Sequence, residues 1–426
     1  MHSSLIMQKP VPSTVGRKGT AMKALEGVRV LDLSRFQSGP VCGMMLGDMG
    51  AEVIRVEELE GAPDRHWGLL GPDGETLSYK VAGRSRKAIS LNFNGEEGKA
   101  ILRELVKKSD VVLHNFTPGA PITVDLEYER LKEINSRIIV AAISGFGQNG
   151  PDREMVCFDH VAQARSGALM LTGFPNSPPL KATVTSNDMM SGLFAVIGIV
   201  IALYDREKTG EGQFIDASLL DTACFSAQMM GALILYDVYG QIRTQVGNLG
   251  FHAYIGIFET KDKEWVLISG ATNGIWKRLT KVIGRPDLAS NDTYGANDMV
   301  RFDNAKELDP IFAEWAAQRT CDEILYLLNS VRIPCSRVNT INRIKDDPQV
   351  QAREMITYVE DPKIGTIPIP SFPFRMSRTP GKITCRAPMV GEHNEEIYCG
   401  LLGYNKEKLQ DLTERKVVGK IPELKK

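Results

Sequence analysis

Short apolar runs and amphipathic stretches alternate along the first 145 residues of the chain. Runs that are rich in β-branched residues predict strands at 28–33, 51–56, 88–91, 110–114 and 138–143. A spacing of apolar residues near 3.6 predicts helices that end near 49 and that cover 95–108 and 127–135. Strands with so few polar residues are typical of a parallel sheet covered by helices on both faces. An open α/β sheet is therefore the predicted architecture of this part.

The pattern changes twice in the rest of the chain. Residues 189–236 are mainly helical, with a polar, glycine-containing break at 208–213 and a strand at 214–217. Farther on, the sequence predicts a hairpin at 254–258 and 264–269 and helices at 274–283 and 305–328. Six prolines between residues 362 and 388 predict an extended segment that wraps over another surface. The predicted division is a disordered extension at 1–21, a large α/β domain at 22–220, a linker at 221–246, a small α+β domain at 247–340, and a linker with a C-terminal segment at 341–426.

Composition narrows the class of protein. The 426 residues are 43% hydrophobic and 24% charged, as in globular proteins. A net charge of −1 argues against nucleic acid as a partner, because binding a polyanion needs a basic surplus. The longest apolar run, 193–203, is too short for a membrane span and is interpreted as a buried core helix, so no membrane partner is predicted. The extension lacks the apolar stretch of a secretory signal, with organelle targeting as the alternative to plain disorder.

Cysteine and histidine patterns indicate neither disulfides nor metal. The seven cysteines are scattered, odd in number and form no Cys-x-x-Cys pair, and the six histidines are equally dispersed. Reduced thiols in the cytoplasm are the simplest interpretation, and no metal site is predicted.

Two common sequence motifs are incomplete or absent in this chain. The segment GFGQNG at 145–150 matches the dinucleotide fingerprint in letters, but no long helix opens within its glycines. No Gly-x-Ser-x-Gly elbow occurs, which disfavours an α/β-hydrolase. His160, between apolar neighbours, is interpreted as a structural histidine.

A series of separated segments carries more information. They are LEGVRVLDL at 25–33, GAEVIRVE at 50–57, RKAISL at 86–91, SGFGQNGP at 144–151, FD with AQA and SG between 158 and 167, NDMMSG at 187–192, TGEGQ at 209–213 and DPQ at 347–349. In this order they resemble the class III coenzyme A transferases, such as formyl-CoA and carnitine CoA-transferases, over about residues 22–412. The resemblance implies a Rossmann-like large domain built from both ends of the chain, a small domain, and two chains interlocked as a homodimer.

The resemblance also implies a nucleophile, Asp188. A carboxylate with an ordinary pKa of about 3.9 is ionised at neutral pH. Its attack on an acyl-CoA gives a mixed anhydride and then an aspartyl-CoA thioester. The structural alternative is a helix N-cap, which would help to hold Asp188 anionic. Gln37 is implied as an oxyanion donor or else a turn residue, and Asp159 as an orienting or proton-handling acid or else a surface acid.

Coenzyme A is the implied co-substrate, with no other cofactor. The implied CoA-binding residues are Gln37, Ser38, Arg86, Leu91, Asn92, Phe93, Asn94, Asn115, Phe116, Thr117 and Phe158. The chain departs from the family pattern at Glu58, where a basic residue is expected, and after 118–119, where an arginine is missing. The basic residues that compensate are expected among Arg55, Arg84, Arg86 and Lys87.

Three functions stay open at this point. The first is transfer of CoA from an acyl-CoA to a free carboxylic acid. The second is a 2-methylacyl-CoA racemase of the same superfamily, relying on a histidine and an acid such as Asp159. The third is a silent CoA-binding protein. The sequence does not identify the acids, and GNLG at 247–250 gives no support to oxalate as a substrate.

Overall fold

A six-stranded parallel sheet forms the centre of the computed structural model, which describes residues 23–250 and 253–422. The predicted extension at 1–21 lies outside the described residues. The strand order, β3-β2-β1-β4-β5-β6, is that of a doubly wound α/β fold, so the predicted fold class is confirmed. The strands are β1 Arg29–Asp32, β2 Glu52–Glu57, β3 Lys87–Ser90, β4 Val111–His114, β5 Ile139–Ser144 and β6 Phe214–Ser218.

Helices cover both faces of this sheet. In β4, Val111 and Leu113 point to one face and Val112 to the other, and all three are buried. The first face packs against α1 and α7, and the second against α3, α4 and α17. The helices up to α9 are α1 Ser38–Asp48, α2 Leu77–Ala82, α3 Glu96–Lys107, α4 Tyr128–Ile134, α5 Asp159–Arg165, α6 Ala168–Leu171, α7 Ser186–Thr209, α8 Leu219–Gln228 and α9 Ala232–Tyr239. The later helices are α10 Asn273–Val282, α11 Asp287–Ser290, α12 Asp298–Asp303, α13 Ala305–Ala317, α14 Cys321–Ser330, α15 Ile341–Ile344, α16 Pro348–Ala352 and α17 Lys406–Glu414. Short 3₁₀-helices occupy Pro63–Arg65 and Pro121–Leu126, and a π-helix occupies Glu396–Leu401.

A second, antiparallel sheet has its own core. It contains β7 Ile255–Glu259, β8 Trp265–Ser269 and β9 Cys335–Arg337, and it packs against α10, α13 and α14. The hairpin matches the prediction, whereas β9 is too short to give a periodic signal. The single helix predicted at 305–328 is wrong. The chain starts a new helix at Thr320, which forms a capping box with Glu323.

The end of the chain returns to the large sheet. The prediction of a merely extended tail is wrong in part, because β10 Ile356–Asp361 and β11 Gly365–Pro370 form an antiparallel hairpin. Beyond it, Asn394 accepts from the backbone N–H of Ser90 at 3.0 Å, and Val418 bridges to Leu91. The C-terminal segment therefore packs beside β3.

Helix α7 is apolar on two sides. By length and composition it could cross a membrane, but the core helix of a soluble protein passes the same test. Ala195 and Ile199 are buried against the sheet, whereas Ile197 and Ile201 are 53% and 60% exposed. The prediction of a wholly buried core helix is therefore wrong for one face.

Candidate active site

The site lies at the carboxyl edge of the parallel strands, where the order reverses between β1 and β4. Loops that follow two such strands leave a crevice, the usual ligand site of doubly wound sheets. Asn115, after β4, donates to the backbone oxygen of Arg35 at 2.6 Å and accepts from its N–H at 2.8 Å. Asn115 also donates to the Ser38 hydroxyl at 3.3 Å. The two loops are thus held together at the crevice.

A glycine brings α7 close to α1. A Cβ built on Gly192 would overlap the carbonyl oxygen of Ser38 in the first turn of α1. Glycine therefore permits the close approach of the two helices. The approach places Asp188, in the first turn of α7, beside Gln37 at the start of α1.

Asp159 caps α7 from a different helix. Its carboxylate is buried and accepts from the backbone N–H groups of Asn187 and Asp188 at 2.7 and 3.0 Å. The other oxygen accepts from the Gln163 amide. The N-cap residue, Thr185, makes no side-chain capping bond, so Asp159 satisfies these N–H groups instead. Asp159 is not a surface acid, and Asp188 is not the N-cap.

The pKa of Asp188 departs from the value assumed from the sequence. Burial, followed by the negative charge of Asp159, raises the pKa of Asp188 to about 7. The expectation of an ordinary pKa near 3.9 is therefore wrong. Near neutral pH both the carboxylate and the protonated acid are populated, a state typical of functional carboxyl groups.

Asp188 lines a cavity of about 480 Å³. Gln37, Phe158 and Asp159 line it too, so the structure brings four predicted site residues to one place. The remaining lining residues come from the loops after β1 and β2, from α1, α2 and α5, from the start of α7 and from the C-terminal hairpin: Phe36, Val41, Met44, Asp64, Trp67, Ser78, Val81, Ala82, His160, Thr185, Met189 and Pro370.

Three aromatic rings meet at this cavity. The ring centroids of Phe36 and Trp67 are 5.3 Å apart, those of Phe36 and Phe158 5.6 Å, and those of Trp67 and Phe158 5.2 Å. Phe36 has a φ of 60°, a backbone conformation that non-glycine residues rarely adopt. Sequence reasoning missed Phe36 and Trp67, because neither belongs to a periodic element; a tryptophan in a polar, glycine-rich stretch was the available signal.

The implied CoA-binding segments follow β3 and β4 and meet beside the crevice. The rings of Phe93 and Phe116 are 6.5 Å apart and, like Leu91, they are buried. Asn92 and Asn94 are exposed, and Thr117 is half-buried. The polar side chains of these segments are therefore accessible to a ligand, and the apolar ones support the loops.

Arg86 does not face the cavity. Its guanidinium is buried and donates to Asp32 at 2.8 Å and to the backbone oxygens of Pro40 and Ala82. The expectation that Arg86 binds CoA is therefore wrong in this structure, because its donors serve the interior of the sheet. Arg55 and Arg84 are likewise buried in ion pairs, and Lys87 pairs with two glutamates.

Arg35 lies beside the segments that the resemblance implies for CoA, and sequence reasoning did not name it. Its guanidinium lies 4.7 Å from the centre of the Phe116 ring and pairs with Glu58. Glu58 thus occupies the position where a basic residue was expected, and it forms an ion pair with another basic residue, Arg35.

No group of three His, Cys, Asp or Glu residues is arranged to hold a metal ion within 23–250 and 253–422. All seven cysteines are free thiols. Asp188, Asp159, Gln37 and His160 are polar side chains that line the cavity.

Comparisons with known proteins point to one family. Residues 25–394 match the model of CoA-transferase family III. The chain is 35% identical to the succinyl-CoA–D-citramalate CoA-transferase of Chloroflexus aurantiacus, over 93% of this chain and 98% of that one. It is 32% identical to the succinyl-CoA:glutarate CoA-transferase of Homo sapiens, over 93% and 90%. It is 33% identical to the formyl-CoA:oxalate CoA-transferase of Streptomyces coelicolor, over 93% and 99%.

A solved structure shares the fold. The crystal structure of a CAIB/BAIF family protein from Brucella suis superposes with a TM-score of 0.78 and 31% identity, over 89% of this chain and 99% of that one. The family model and these relatives cover nearly the whole chain. The protein belongs to CoA-transferase family III.

Proposed function

We propose that this enzyme transfers CoA from an acyl-CoA to a free carboxylic acid, with Asp188 as nucleophile. The observation that carries the proposal is a carboxyl group in the wall of an open cavity, on a helix turn fixed by Asp159. The relatives named as CoA-transferases support the reaction class.

The proposed reaction has two halves. A carboxylate oxygen of Asp188 attacks the thioester carbonyl carbon, the C–S bond breaks, and a mixed anhydride forms with release of the CoA thiolate. The thiolate then attacks the Asp188 carbonyl carbon, which releases the donor acid and leaves an aspartyl-CoA thioester. The acceptor carboxylate attacks this thioester, and the thiolate returns to the acceptor carbonyl to give the new acyl-CoA and free Asp188. Activated carbonyl groups of similar energy are exchanged throughout.

Two neighbours assist in this proposal. The Gln37 amide lines the same cavity and is the proposed donor to the oxyanion of each addition. Asp159 is a positioning residue, because it holds the N–H groups of Asn187 and Asp188. Burial, followed by the charge of Asp159, raises the pKa of Asp188 to about 7, so attack requires loss of a proton that is bound in weakly acidic solution.

One observation favours the racemase as a second candidate. His160 lines the cavity with Asp159 and stacks on Phe158, so a histidine and an acid are both available for proton abstraction. Exchange of the α-proton of a 2-methylacyl-CoA with D₂O, without a covalent adduct, would support that reaction and exclude the transferase.

The test of the transferase is to trap the intermediate. The enzyme incubated with an acyl-CoA donor alone should accumulate an adduct, which hydroxylamine converts to a hydroxamate at Asp188. Peptide mass spectrometry locates the modification, and Asp205, an exposed aspartate near the other end of α7, is the internal control. A hydroxamate elsewhere, or none with any donor, would contradict the proposal.

We propose further that two chains form the interlocked homodimer. Large apolar side chains are exposed along α7, α8 and α9, among them Ile201, Met229, Leu233 and Tyr239, all at least 59% exposed. An exposed apolar surface of this kind is typical of a protein–protein interface. Sedimentation over a wide dilution range should show a dimer and no folded monomer, and a stable active monomer would contradict the proposal. The cytoplasmic location and the absence of a membrane partner stay predictions.

A further inference from the structure

We infer that the acids served by this enzyme are monocarboxylic acids with an apolar chain. The inference rests on the transferase activity proposed above and adds the class of substrate. It comes from the wall of the cavity that contains Asp188.

The wall presents large apolar side chains to the open space. Trp67, Phe158 and Met189 are 60%, 40% and 42% exposed while lining the cavity. Val41 and Met44, on α1, line the side of the cavity against which α7 packs. Transfer of an alkyl or aryl chain from water onto this surface is favourable in proportion to the apolar area covered.

The charged residues that line the cavity disfavour a second carboxylate group on the bound acid. Among the described residues that line the cavity, three are aspartates and none is a lysine or an arginine. Arg55 donates to Asp64 at 2.7 and 2.8 Å, and two backbone N–H groups donate to Asp159, so these donors are already engaged by the carboxylates of the wall. A carboxylate at the far end of the chain would lose its water without gaining a lysine or arginine among the described lining residues. His160 is the one described lining residue that can carry a positive charge.

The reacting carboxyl group does not bias this comparison. Monocarboxylic and dicarboxylic acids both bring it to Asp188, so the wall acts on the remaining part of the acid alone. The relatives named for succinyl-CoA and glutarate act on dicarboxylic acids. We therefore expect this chain to differ from them in substrate while sharing the reaction.

The experiment compares acids of equal chain length. For butyrate against succinate, and valerate against glutarate, we would measure exchange between each acyl-CoA and its own ¹³C-labelled acid by mass spectrometry. The value of kcat/KM should be at least about tenfold higher for each monocarboxylic acid. Equal or faster exchange of succinate or glutarate would overturn the inference and leave the transferase intact. No exchange and no hydroxylamine-labile adduct with any of the four donors would overturn the transferase, and the inference with it.

A variant of the wall provides a second test. Trp67→Arg places a cation in the cavity, and we expect the ratio of succinate to butyrate exchange to rise at least about tenfold. The matched control is Leu69→Arg, because Leu69 is 76% exposed and does not line the cavity. An equal change in both variants, or no change in either, would contradict the assignment of the wall. If Trp67→Arg does not fold, the wild-type ratios still decide.

Discussion

Two buried carboxyl groups near the cavity show opposite pKa shifts. Glu57, at the end of β2, is completely buried between Arg55 and Arg65, with oxygen–nitrogen distances of 3.0 and 2.7 Å. Burial alone would raise the pKa of Glu57, but the two guanidinium groups outweigh it and the pKa is lowered. Asp188 is buried less completely, faces Asp159 instead of a cation, and has its pKa raised to about 7.

Both groups are buried, so the difference comes from their neighbours: two arginines lower the pKa of Glu57, whereas burial, followed by the charge of Asp159, raises the pKa of Asp188. Glu57 stays ionised and serves structure. Its partner Arg65 also binds Glu75 and the carbonyl oxygen of Pro388, and so fixes the loop that carries Trp67. Asp188 retains a proton that it can lose near neutral pH, as its proposed role requires. One carboxyl group supports the cavity wall, and the other is the proposed nucleophile.

The largest expected effect is on activity at Asp188. Asp188→Asn keeps the side-chain shape but removes the nucleophilic oxygen anion, so kcat/KM for transfer should fall by about 10³-fold or more. CoA binding, measured by calorimetry, should survive, because the nucleotide segments are untouched. Asp205→Asn, on the exposed end of the same helix, should keep full activity. Normal transfer by Asp188→Asn would show that Asp188 is not the nucleophile.

Glu57 should show the reverse pattern. Glu57→Gln leaves two buried guanidinium groups without their shared anion, and the free energy of unfolding should fall by about 3–5 kcal/mol. The control is Glu52→Gln, whose pairs with Arg29 and Lys87 are partly exposed and should contribute less than about 1 kcal/mol. Denaturant unfolding at fixed protein concentration measures both. A stable Glu57→Gln variant would mean that the arginines do not depend on this anion.

The raised pKa of Asp188 also predicts how stability depends on pH. The folded protein binds this proton more tightly than the unfolded chain, whose carboxyl group has a pKa near 4. The resulting stabilisation is complete below about pH 4 and is lost as the pH rises through about 7. Relative to Asp188→Asn, which does not titrate, the wild type should lose up to about 4 kcal/mol across this window. Parallel stability curves for the two proteins would show that the pKa is not raised.

Much of the fold could be predicted from the sequence, because its signals are local. Five strands are short runs of apolar residues, and the apolar positions of α3 follow a helical period. Other elements depend on partners that periodicity does not reveal: β9 is three residues long, and the proline-containing β11 is a strand because β10 pairs with it. The domain boundaries stay a prediction.

Sequence reasoning identified only those site residues that lie in recognisable family motifs. The resemblance named Asp188, Asp159 and Gln37, and the structure brings all three to one cavity. It also named Arg86, whose guanidinium is buried in an ion pair with Asp32. A sequence shows that an arginine exists but not whether a buried aspartate already pairs with it. For the same reason the pKa of Asp188 could not be predicted, since it depends on burial in the folded chain and, after that, on Asp159, 29 positions away in the chain.

The smallest and most specific effect is expected at Asp159. In Asp159→Asn the amide oxygen can still accept from the N–H groups of Asn187 and Asp188, so the turn should persist while the negative charge is lost. The pKa of Asp188 should then fall, and the acid limb of the pH profile of kcat/KM should move to lower pH. Because the nucleophile becomes less basic, the plateau should fall by about tenfold. The matched control is Asp221→Asn, an exposed aspartate in the first turn of α8, which should leave limb and plateau unchanged. If Asp159 has only a structural role, the plateau of kcat/KM should fall while the acid limb stays at the same pH. That result would show that the charge of Asp159 does not govern the proton on Asp188.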